Sequence, residues 1–188
     1  MNEFIKKYEE IWKDTPVSLL DNYNYHLKLT ENLDNLKSDK FDFESLYKIV
    51  LWKLNRFPYI EQDLINRLKN VSTVQPQHHE ECGDLIKDLL KTPGIALPIS
   101  STILRFLNPR TFQIIDDRTY RILFPGKTKY PSKGKKVTDS YLKKSVEIYF
   151  KYLDKIHEIS SEKLPFEYAD RILYLLDIKL GNKIGSKT

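Results

Sequence analysis

The chain has 188 residues, 40% of them hydrophobic, enough for one sizeable core and short for two, so a single domain over residues 1–188 is expected. Its only cysteine, Cys82, excludes an intrachain disulfide, a cysteine-ligated metal and an iron–sulfur cluster; no apolar run reaches the roughly 20 residues of a membrane span, and no basic stretch leads into an apolar signal core, so a soluble, cytoplasmic monomer is expected, nucleoid-associated if the source is bacterial or archaeal. Lys plus Arg number 31 against 26 Asp plus Glu, a net +5 that suits a polyanion and is equally common in Lys-rich proteins without one.

Phe4, Ile5, Tyr8, Ile11 and Trp12 lie on one stripe of a 3.6-residue period and predict a first helix that Pro16 ends. Leu19, Leu20, Tyr23, Leu27 and Leu29 continue a polar-rich helical run. Asp42 or Ser45 is placed to cap the next helix, which stops near Arg56 because Pro58 disfavours helical geometry at the residue before it. Residues 59–71 predict a short helix, and 78–91 a helix running into the tight turn 92–98. Pro98 suits the first turn of a following helix, where its missing amide costs nothing. Two helices joined by a Gly-containing turn make a hairpin.

After the hairpin, residues 108–115 predict an extended connection, 116–124 a helix, and 125–136 a basic loop rich in Pro and Gly. An amphipathic helix over 139–159, capped by Asp139 or Ser140, and a last helix over 165–180 follow, with a frayed tail. No period-two alternation persists and no repeat is visible, so the fold class is all-α.

Residues 89–123 carry the most specific pattern. A Pro93-Gly94-Ile95-Ala96 turn joins two helical segments, a small residue, Ser100, follows on the second, and Asp116 comes after a short extended stretch. This combination resembles the core of the helix-hairpin-helix DNA glycosylase superfamily. The resemblance implies two helical lobes with a cleft between them, the N- and C-terminal helices forming one lobe and residues of about 60–125 the hairpin lobe. It implies a duplex DNA partner and a monofunctional N-glycosylase that excises a modified or mispaired base, as in base excision repair. In that role Asp116 is the catalytic carboxylate, with Asp117 as the alternative. An ionised carboxylate beside the sugar stabilises the oxocarbenium-like transition state and orients the attacking water.

The turn itself has a physical rationale. A Gly permits positive φ and leaves backbone amides open to phosphate at the start of the second helix. Pro93, Gly94, Ile95, Ala96 and Pro98 are therefore the expected DNA-backbone contacts. In the family the hairpin carbonyls also hold a monovalent or divalent cation. Two positions depart from the pattern: Ala96 replaces the second Gly, and Thr92 an apolar residue. The position of the Schiff-base lysine of bifunctional relatives is Pro98, so no lyase chemistry of that kind is expected, and the lone cysteine excludes the cluster some relatives carry.

Asp116 also fits a simple helix cap. Under that reading the chain is a non-catalytic DNA-binding module, or a helical protein-interaction domain. A pocket holding Asp116 beside an aromatic ring separates the enzyme from the module. Elsewhere, Trp52, Phe57 and Tyr59 are candidates for stacking on a flipped base, and Lys53, Arg56 and Arg118 for holding phosphates; the alternatives are a core Trp52 and solvated cations. His78 and His79 read as a solvated helix start rather than a metal site. Tyr141, Tyr149, Tyr152, Tyr168 and Tyr174 read as core and interface filling.

Overall fold

Residues 3–12, 15–55, 58–127 and 129–183 are described by the computed structural model. They are mostly helical, with no strand among them beyond an isolated bridge between Ser161 and Leu164. The chain divides into two units, residues 1–57 and 58–188.

In the first unit the expected opening helix is two short ones, α1 (Glu3–Lys7) and α2 (Glu9–Trp12), parted at Tyr8. A helix of under about 12 residues is marginal without a face to bury; Ile5 and Tyr8 are half-buried, and the side chains of Phe4 and Trp12 lie outside the described set. The run expected across residues 19–29 is likewise split, into a 3-10 stretch (Pro16–Asn22) and α3 (Leu27–Asp34), with His26 left-handed between them at φ 45°. Then comes α4 (Phe43–Lys53), capped by the Asp42 carboxylate, which accepts from the Ser45 amide at 2.7 Å. It ends before Arg56 because Asn55 already turns left-handed, at φ 51°. No described side chain of this unit is buried.

The second unit holds α5 (Gln62–Lys69), α6 (Gly83–Lys91), α7 (Leu97–Leu107), α8 (Asp117–Leu123), α9 (Asp139–Ile159) and α10 (Ala169–Lys179). Its core takes one face of each: Ile86, Leu89 and Leu90 of α6, Leu104 of α7, Tyr149, Tyr152, Leu153 and Ile156 of α9, and Leu173 of α10. The cap of α9 is Thr138, whose hydroxyl accepts from the Tyr141 amide, rather than Asp139 or Ser140. The helix before the hairpin starts later than expected, at Gly83, after a 3-10 turn (His79–Cys82). Within that turn His79 is buried, not solvated, its ring 5.1 Å from that of Phe150. Burial lowers the pKa of His79 and pushes the Cys82 thiol up to about 11, so that thiol is a poor nucleophile.

Candidate functional site

Residues 112–116 connect α7 to α8 without regular secondary structure, and among the described residues there is no strand for them to pair with. Phe112, Gln113 and Ile115 are fully buried, so the backbone there needs other partners. Side chains from three helices supply them. Tyr149 and Tyr152 of α9 donate to the carbonyls of Gln113 and Ile114 at 3.0 and 2.5 Å. The Ile114 amide donates to Asp170 of α10 and the Ile115 amide to Ser101 of α7. The segment is thereby held from both sides, and it delivers Asp116 to a defined place at the head of α8.

Asp116 caps α8. One oxygen, Oδ1, accepts from the amides of Arg118 (3.0 Å) and Thr119 (2.8 Å), and the Thr119 hydroxyl accepts from the Asp116 amide in return. The other oxygen, Oδ2, takes no hydrogen bond from the described residues. The half-buried carboxylate lines a cavity of about 400 Å³ with Ile114, Asp170, Tyr174 and Leu175. Tyr174 is 39% exposed, and its ring carries the Arg118 guanidinium at 5.3 Å. A capped helix and an available carboxylate oxygen therefore coexist in one residue.

Asp117 is differently placed. Its carboxylate accepts from Lys129 Nζ and from the Tyr130 hydroxyl, both at 2.7 Å. Burial pulls its pKa upward, but those two bonds outweigh it and hold the group below its ordinary value. Arg118 and Arg121 pair with neither aspartate of the motif. Both grip Asp177 of α10, at 2.7 Å for Arg118 and 2.5 Å for Arg121, and Arg118 is mostly buried in doing so. Arg118, a candidate for holding phosphate, is here engaged by Asp177.

The hairpin forms between α6 and α7. Gly94 has φ +81°, and nothing lies within 4 Å of where a Cβ would stand. Ala96, at φ −104°, is the residue before α7 and has no need of glycine; no side chain caps the α7 amides. Ser100 is fully buried against its neighbours, and Pro98 offers its carbonyl to the hydroxyls of Ser101 and Thr102. Since Ser101 also accepts from the Ile115 amide, the hairpin's second helix and the segment bearing Asp116 share a hydrogen-bonded joint. Lys133, from the basic loop, donates to the turn carbonyls of Thr92 and Ile95.

No family model, curated protein or solved structure matches this chain.

Of the remaining candidates, Tyr59 is 78% exposed and borders a hollow with Arg67, Lys91, Thr92 and Pro93, so it stands beside the hairpin and not beside Asp116. Trp52 and Lys53 belong to the first unit. There the Trp52 indole donates to Thr30 at 2.8 Å and meets the Tyr25 ring edge-on at 5.0 Å, a local packing role; Lys53 is exposed. Arg56 and Phe57 lie outside the described residues. Among the described residues no group of three His, Cys, Asp or Glu side chains is arranged to hold a metal ion.

Three site residues escaped the sequence reading. Tyr174 reads in the sequence as core or interface filling like Tyr149 and Tyr152, yet it lines the cavity while those two are buried. Asp170 lines the same cavity as Asp116 and is a second carboxylate there, tied to the Arg105 guanidinium at 3.5 Å and to two backbone amides. Lys133 had no signal beyond membership of a basic loop.

Proposed function

We propose that this chain binds double-stranded DNA and excises a modified or mispaired base as a monofunctional N-glycosylase, with water as the nucleophile. The observation that carries the reading is that Asp116, whose Oδ1 makes the cap and whose Oδ2 takes no hydrogen bond from the described residues, lines one cavity with Tyr174. A carboxylate anion there stabilises the positive charge that grows on the sugar as the N-glycosidic bond breaks, and its free oxygen accepts a proton from the attacking water. The cavity volume, about 400 Å³, falls in the range of small-ligand sites, and Tyr174 offers a face to an extruded base. No lysine stands at the hairpin position that forms a Schiff base, since Pro98 occupies it, and Lys129 beside the aspartates is already bound to Asp117. The open turn at Gly94 suits a backbone phosphate without reading base sequence.

The experiment is a single-turnover assay of the wild type and Asp116→Asn on duplexes carrying uracil, hypoxanthine, 8-oxoguanine, alkylated adenine or mispaired adenine, with alkali revealing abasic sites. Asn caps a helix as well as Asp does, so the variant keeps its fold and loses only the charge. Excision falling by about 100-fold or more in the variant supports the enzyme. The reciprocal capping box around Asp116 favours a second reading, a DNA-binding module in which the residue only caps. Salt-sensitive duplex binding by both proteins with no excision by either selects it.

A further inference from the structure

The hairpin turn carries an ammonium group that no carboxylate among the described residues pairs with. Lys133 is half-buried, and its Nζ donates to the carbonyl oxygens of Thr92 at 2.5 Å and Ile95 at 2.9 Å. The neighbouring lysines of α6 are neutralised, Lys91 by Asp88 and Lys87 by Asp84, each at 2.8 Å. Among the described residues no carboxylate does the same for Lys133. An ammonium has three N–H donors, and the two carbonyls take two of them. Partial burial raises the cost of leaving the charge uncompensated, and carbonyl dipoles answer only part of it. The complement to such a group is an anion, and the two carbonyls that hold it flank Pro93 and Gly94, where the turn is open.

We propose that Lys133 is the turn's own cation: one ammonium, seated on the carbonyls of Thr92 and Ile95, that bridges the hairpin to a phosphodiester oxygen of duplex DNA. The inference rests on the duplex-binding part of the reading above and not on base excision. Two carbonyl oxygens converging on one nitrogen also make a seat for a small free cation, which the tethered ammonium renders unnecessary. Duplex binding by the wild type is therefore indifferent to which monovalent cation is in solution.

The test compares wild type, Lys133→Met and, as a control, Lys151→Met on an unmodified duplex, in potassium chloride and in tetramethylammonium chloride, whose cation is too large for the seat. Losing one phosphate contact weakens Lys133→Met about tenfold at moderate salt and makes its salt slope shallower by about 0.9, with Lys151→Met unchanged. In Lys133→Met, potassium restores part of the affinity and tetramethylammonium does not. A lysine that merely staples the loop would lower the melting temperature and leave the slope alone, which overturns the proposal. Should Lys133→Met fail to fold, reductive methylation of the wild type decides: duplex DNA protects Lys133, and equal labelling with and without DNA overturns the assignment. Excision by the wild type together with an unchanged slope in Lys133→Met removes the inference and spares the glycosylase; a shifted slope without any excision does the reverse.

Discussion

Asp177 is a fully buried carboxylate, and it stays ionised because donors surround it: Arg121 through two nitrogens, Arg118 through one, and the Asn182 amide. The Arg121 guanidinium, with Asn182 and Arg118, holds its pKa well below the usual carboxylate range against the upward pull of burial. A group whose folded-state pKa is depressed contributes stability above its unfolded pKa, near 3.9, and that contribution drains away as pH falls from about 5. Asp177→Asn leaves two largely desolvated guanidinium groups without a counter-charge, so we expect a loss of about 3 kcal/mol at neutral pH. Thermal melts between neutral and acid pH check this. The gap between wild type and variant narrows below about pH 5, and parallel curves would show that Asp177 does not carry the acid sensitivity. The pair between Arg118 and Asp177 has no sign in the sequence: cations on a helix opened by two aspartates carry no mark of a third carboxylate 59 residues away.

The segment 112–116 is an element that owes its shape to other elements. Its buried carbonyl at Gln113 has the Tyr149 hydroxyl as its donor, so deleting that hydroxyl strands an acceptor without changing the packing, whereas Ile114 accepts from Tyr152 and, at 3.4 Å, from the Thr119 hydroxyl as well. Tyr149→Phe should cost about 1–2 kcal/mol in urea unfolding, and Tyr152→Phe less, because Ile114 keeps the Thr119 hydroxyl as a donor. Tyr174→Phe, which alters a half-exposed ring edge, should stay within about 0.5 kcal/mol. Equal losses at all three positions would mean that ring packing, not the hydroxyl bonds, holds the segment. The turn, the two hairpin helices and the segment after them were legible because Pro93, Gly94, Pro98 and Asp116 punctuate the chain locally. The division of labour among the tyrosines was not. Tyr149, Tyr152 and Tyr174 share a residue type and a helical spacing, and only the placement of α9 and α10 decides that two are buried under the site while one looks into it.

At the scale of the whole molecule, the two units differ in what they bury. The fold class was legible because a 3.6-residue period needs no tertiary partner to be seen; the division at residue 57 was not, since 43–54 and 83–91 show comparable apolar patterns. Periodicity reports that a face is apolar and not whether anything covers it. In the second unit the α6 face is covered, with Ile86, Leu89 and Leu90 wholly buried, whereas in the first Phe43 and Tyr47 of α4 remain 75% and 61% exposed. Each fully buried side chain of this size is worth about 1.5–3 kcal/mol relative to exposure, so the hairpin, Lys133 and the Asp116 cavity all stand on the well-buried unit. Local opening follows buried apolar contact. In hydrogen exchange, the amides of α6 and of the middle of α9 should exchange only through global unfolding, while those of α3 and α4 exchange through cheap local opening and follow denaturant far less. Protection of α4 equal to that of α9 would mean that its apolar face is covered in solution.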